Sequence, residues 1–149
     1  MTAQLAENLM VTVAGLRRLV RRHVAARLPE LDPRLRGAQI ELLRVVEKQP
    51  GIGVAAAARR LHLAGNSVST LVNQLVDAGM LERQVDPADR RAARLELTPA
   101  AHTRLATWRR TRTEFVAGRL AALSDVDREA IESALPALNR LLKAIEEET

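Results

Sequence analysis

The sequence contains no cysteine. That excludes disulfides, thiolate metal sites, a cysteine nucleophile and any thiol-based redox switch. Tyrosine is also absent, and the only large aromatics are Trp108 and Phe115. Single-strand and RNA binders stack bases on aromatic platforms, which this chain cannot build in number. Lysine is nearly absent: Lys48 and Lys143 are the only two. No apolar run approaches the 18 residues of a membrane span. Met1 to Met10 lacks the basic start and apolar stretch of a secretion signal, so a soluble cytoplasmic protein is expected. There is no phosphate-binding glycine loop, nucleophile elbow or carboxylate pair suited to acid–base chemistry. His23, His62 and His102 lie far apart without metal-ligand spacing. No catalytic residue, metal or cofactor is expected, and an enzyme is the least favoured class.

What is present is arginine. Basic residues number 23 against 18 acidic, a net charge of +5, and all but the two lysines are arginine. Arginine suits phosphate and base-edge contacts, and a basic chain suits an anionic polymer. The charge is polarised: residues 1–50 and 81–113 each carry net +4, whereas 114–149 carry net −4. The 149 residues are 47% apolar, enough for a single domain with its own core.

Periodicity predicts mostly helix. Leu5, Leu9, Val13, Leu16, Val20, Val24 and Leu28 mark one face of a helix over 2–28, and Pro29 and Pro33 bracket a turn. A second helix spans 34–47, and short helices follow at 54–61 and 65–78, the latter ended by Gly79. The period then becomes alternating in Leu81–Val85 and Arg94–Thr98, around the polar stretch 86–93: a β-hairpin with a charged tip. Thr98-Pro99 opens a long helix to about Leu123. Ser124 caps a last helix with Ile131, Leu135, Leu138, Leu142 and Ile145 on one face, and Pro136 is expected to kink it.

The informative stretch is 54–98: helix, a turn at His62-Leu63-Ala64, helix, hairpin. Two helices joined by a tight turn can set the second into a DNA major groove. The second opens with Asn66, Ser67, Ser69, Thr70 and Asn73 at exposed positions, short groups able to contact phosphates or base edges near the positive end of the helix. Taken alone, this cluster reads equally as caps on an exposed helix start. The hairpin turns the reading toward DNA. Arg90 and Arg91 at its tip, flanked by Arg83 and Arg94, would reach a minor groove, which attracts arginine when narrow. Asp89 is expected to hold a neighbouring guanidinium, that of Arg91.

These residues resemble the MarR family of transcriptional regulators. Asp86-Pro87-Ala88-Asp89-Arg90-Arg91, followed by Leu95, Leu97 and Thr98, is similar to that family's wing signature. Ser69, Leu71, Leu75, Gly79, Leu81 and Arg83 match the recognition-helix-to-wing segment, and Gln39, Leu42 and Leu43 the second helix. Two positions depart: Ala101 stands where the family usually has glycine, and Thr70 where a basic residue is common.

The resemblance implies a mainly α fold with a small hairpin wing over 1–149. A winged helix-turn-helix core would span 34–98, with 1–28 and 99–149 as dimerisation helices. It implies a homodimer on an inverted repeat of double-stranded DNA, built on Leu5, Leu9, Leu16, Leu135, Leu138, Leu142 and Ile145. It also implies a repressor released by a small ligand. An anionic or aromatic effector would use Arg17, His23 and Trp108; the plainer reading takes such arginines as solvated and Trp108 as core. The alternative function is a DNA-architectural or protein-binding helical dimer with no effector.

Overall fold

A computed structural model describes residues 1–28, 34–89 and 92–148. The turn expected at Pro29 and Pro33 lies outside the described residues. The chain is mainly helical, with a small antiparallel sheet, as its periodicity implies: α1 Thr2–Arg27, α2 Gly37–Lys48, β1 Ile52–Gly53, α3 Val54–Leu61, α4 Gly65–Asp77, β2 Leu81–Val85, β3 Ala93–Leu97, α5 Pro99–Ala121 and α6 Asp125–Glu148. It divides into two compact units. One comprises Met1–His23 with Thr111–Thr149, the other Val24–Arg110.

In the second unit, helix ends are set by specific bonds. The α2 helix begins three residues later than its pattern suggests. The Arg36 N–H donates to Gln39 Oε1 at 2.8 Å, which closes the helix start there. His62 ends α3 in the left-handed region at φ 52°, and its successor Leu63 donates back to the Ala58 carbonyl at 3.0 Å. The expected turn at 62–64 is therefore present. Gly79, at φ 72°, ends α4: its N–H bonds the Val76 carbonyl and the Met80 N–H bonds the Leu75 carbonyl. This paired arrangement needs a residue with positive φ, which glycine adopts without penalty.

The hairpin pairs Leu81 with Leu97, Arg83 with Leu95 and Val85 with Ala93. A third strand, β1, pairs Ile52 with Leu95 and makes β3 central. Two residues are too few to show a period, so alternation could not reveal it. Thr98 then caps α5: its hydroxyl accepts the Ala101 N–H at 3.1 Å and donates to the Gly79 carbonyl at 2.7 Å. One side chain thus joins the exit of α4 to the start of α5. Ala101 is fully buried, so its methyl lies within the packed unit.

The core of this unit joins α2, α3, α4, the sheet and the start of α5. Leu42, Leu43, Val46, Val68, Val72, Leu75 and Leu95 are wholly buried in it. Each such side chain contributes about 1.5–3 kcal/mol on leaving water. Among the described residues no buried side chain is polar or charged.

The first unit is different. Ser124 caps α6 as expected, accepting the Asp127 N–H at 3.1 Å and donating to its carboxylate at 2.7 Å. Arg128 reaches back to the carbonyls of Ala121 and Leu123 at the end of α5. The α6 helix continues through Pro136 without interruption. It buries none of its described side chains: Leu135, Leu138, Leu142 and Ile145 remain 39–55% exposed. Leu5 and Leu16 on α1 are exposed as well, and Leu9 is half-buried. No described helix is long and apolar enough to cross a membrane.

Candidate nucleic-acid interface

The α4 helix has two opposed faces. Val68, Val72 and Leu75 are fully buried, while Asn66, Ser67, Ser69, Thr70 and Asn73 are all exposed. Burial of the apolar stripe fixes the helix rotation, and that rotation is what presents the polar residues together. They are not equally available. The Thr70 hydroxyl donates to the Asn66 carbonyl at 3.1 Å, a bond within the helix. Asn66 Oδ1 accepts the Ser67 N–H at 2.8 Å, so this amide tends the first turn. The residue before the helix is Ala64, which gives no side-chain cap. First-turn N–H groups without such a cap are natural partners for an anion.

Two bonds tie this helix to its surroundings. Gln39 Nε2 on α2 donates to Gln74 Oε1 at 3.0 Å, fixing α4 from behind. Arg83 Nη2 on β2 donates to Asn73 Oδ1, joining the exposed face of α4 to the hairpin.

The hairpin arginines separate. Arg83 stands opposite Leu95, and Arg94 opposite Gln84, one register position apart. Successive strand residues point to opposite faces, so Arg83 faces α4 while Arg94 lies on the other side. There its Nε sits 3.3 Å from Asp86 Oδ2. The other oxygen of Asp86 accepts the Ala88 N–H at 2.9 Å, and the Asp86 backbone pairs with Ala92 and Asp89. Asp86 is thus the residue that shapes the described part of the tip. Sequence reasoning passed it over in favour of Asp89, although an Asp-Pro pair at a strand end signals such a turn. Arg90 and Arg91 lie outside the described residues, and so does the pairing expected between Asp89 and Arg91.

The Ala88 N–H holds the Asp86 carboxyl below its ordinary value of 3.8 against the opposing effect of desolvation, and the charge of Arg94 adds a smaller pull in the same direction. A group with a depressed folded pKa stabilises above its unfolded pKa and loses that contribution as pH falls through the folded one. The tip should therefore be insensitive to pH near neutrality and loosen only below about 3.8. An acid titration followed by NMR at the Ala88 amide should inflect below that value, and Asp86→Ala should abolish the inflection. An inflection above it would contradict this account of the turn.

Arg59 and Arg60, exposed in the last turn of α3, border the turn before α4, and Arg60 donates to Gln49 at 3.1 Å. Sequence reasoning left them out, though two arginines directly before a helix-turn-helix turn are visible there. The Gln39–Gln74 bond had no such signal, because the residues are 35 apart.

The residues considered for an effector do not form one site within a unit. Arg17 and His23 belong to the first unit, where the His23 ring stacks on Phe115 at 3.6 Å between centroids. Trp108 belongs to the second, half-buried beneath the Arg44 guanidinium at 4.6 Å. Beside it Arg109 grips both carboxylate oxygens of Glu47 at 2.9 Å.

Comparison with known proteins agrees with this geometry. The sequence model of the MarR family matches residues 35–92. A protein of Thauera aromatica, named as a transcriptional regulatory protein for the hcr operon, is 30% identical over 99 residues. That match covers 66% of this chain and 60% of the relative, so the chain spans less than two thirds of its length. A Pseudomonas aeruginosa structure, named as a transcriptional regulator, superposes with a TM-score of 0.80 at 25% identity, covering 93% of this chain and 94% of that one. Streptococcus pneumoniae FabT, solved in complex with DNA, shares the fold at a TM-score of 0.73 and 20% identity, over 95% of this chain and 99% of that one. The MarR family model thus matches the helix-turn-helix and the first strand of the hairpin, the part of the chain that carries the geometry above.

Proposed function

We propose that the protein is a sequence-specific regulator of transcription that binds double-stranded DNA as a homodimer. The observation that carries this reading is the exposed polar face of α4, rotated outward by its buried stripe, beside an arginine-bearing hairpin. Asn66, Ser67, Ser69, Thr70 and Asn73 would enter a major groove. Arg90 and Arg91 would lie along the flanking minor groove, with Asp89 holding Arg91, while Arg83 and Arg94 brace the wing. The exposed leucines of α1 and α6 support a dimer, and a two-fold dimer requires an inverted repeat. Occupancy of such a site would exclude polymerase and repress. Release by a small anionic or aromatic ligand would need a differential affinity of a few kcal/mol between two spacings of the DNA-binding units. Arg17, His23 and Trp108 remain the residues to vary for it.

Selection of bound duplexes from a random pool, near physiological salt, tests the reading. An inverted repeat with halves about one helical turn apart is expected. Binding without enrichment would mean an architectural protein, and no binding a protein-binding dimer. Arg91→Ala should weaken binding across sequences and lower the salt slope by about 1. Ser69→Ala should change the preferred site more than the slope. Unchanged affinity and slope in Arg91→Ala would overturn the wing assignment.

A further inference from the structure

We infer that Arg83 sets the base preference of Asn73, making it a donor-only reader that selects guanine over adenine. The inference rests on the DNA-binding reading above and adds which base edge this position recognises. A free asparagine amide offers one acceptor and two donors, and its common partner is adenine, where Oδ1 accepts from N6 and the amide donates to N7. Here Arg83 Nη2 donates to Asn73 Oδ1. Guanidinium has no acceptor, so this bond can form with the carbonyl oxygen alone. It turns that oxygen toward β2 and leaves the NH2 group as the outward polar end of an exposed side chain.

The backbone makes the pairing reproducible. Asn73 is on the outer face of α4, held in rotation by Val72 and by the Gln39–Gln74 bond. Arg83 is on the α4-facing side of β2, held in register by its pairing with Leu95. Both ends of the bond are therefore anchored in the same compact unit. A base edge meeting this amide must supply acceptors. Guanine offers two, N7 and O6, side by side. Adenine and cytosine each place an amino donor where the amide oxygen, turned away toward β2, would have to accept. Arg83 is here a positioning residue.

The test is selection from a random duplex pool with the full-length protein and its Asn73→Ala, Arg83→Ala and Arg83→Lys variants. The wild type should show one position per half-site favouring guanine, on the order of tenfold over adenine. Asn73→Ala should flatten that position alone. Arg83→Ala should free the oxygen and shift the same position toward adenine, and Arg83→Lys, which also donates to it, should restore guanine. An enriched repeat whose Asn73-dependent position is unchanged by Arg83→Ala would overturn the inference and leave the DNA-binding reading intact. Loss of affinity at all positions equally in Arg83→Ala would do the same, because it would make Arg83 a phosphate contact. Failure of the wild type to enrich any sequence would overturn the function proposed above, and this inference with it.

Discussion

Replacing Leu138 and Leu142 together with glutamate is expected to yield a monomer that binds its inverted repeat about 10²–10⁴-fold more weakly. The loss comes from two sources. Both leucines lie on the exposed stripe of α6, a helix that buries none of its described side chains. In a dimer each would contribute about 1.5–3 kcal/mol by leaving water, and glutamate would instead bring an unpaired charge into the contact. A monomer also loses the second half-site, which in the dimer binds as an intramolecular event. The core of the winged unit contains neither residue, so its helical signal and thermal transition should persist. Sedimentation and a binding titration check the prediction. A variant that stays dimeric would remove α6 from the interface. A monomer with full affinity would end the two-half-site reading.

The second large effect is on stability. Leu95→Ala should cost about 2–5 kcal/mol, the range for truncating a buried leucine. Leu95 is wholly buried and sits at the centre of the sheet, paired with Ile52 on one side and Arg83 on the other. At this chain length each kcal/mol lowers Tm by about 2–4 °C. Calorimetry at fixed protein concentration should therefore show a clear fall. Val85→Ala, two residues along the partner strand from Arg83 but 67% exposed, should stay within about 0.5 kcal/mol of the parent. Equal effects at the two positions would mean that the hairpin is not packed as described. Because Leu95 backs the strand that carries Arg83, its loss should also loosen the Arg83–Asn73 bond and blur base preference before it abolishes binding.

The extent of the sequence signal differs between elements for physical reasons. Long amphipathic helices announce themselves, because burial on one side imposes a period near 3.6. The α1, α4 and α6 helices were readable on that ground, as were the caps Thr98, Ser124 and Gly79, whose roles depend on local chemistry. The start of α2 was misplaced because Arg34 and Arg36 are acceptable helix residues, and only the Gln39 side chain bond decides where the first turn closes. Pro136 lies within α6, whose helix runs on both sides of it, and its ring removes one N–H from the ladder.

The candidate interface divides in the same way. Its residue types, short polar groups on α4 and arginines on a hairpin, follow from composition and alternation. So does the fact that Leu81 and Arg83 share a face of the strand, since that parity is local. Tertiary structure decided the rest. Asp86 holds Arg94, because the turn brings its carboxylate within 3.3 Å of the guanidinium. Arg83 and Arg94, which look like equivalent flanking charges, point to opposite faces and take different partners. Gln39 and Gln74 meet across 35 residues, and β1 exists only because β3 offers it an edge. The sequence by itself determined which elements form and which chemistry they carry, since both depend on near neighbours in the chain. Which side chains meet depends on strand register and helix packing, and those are settled only when the core closes.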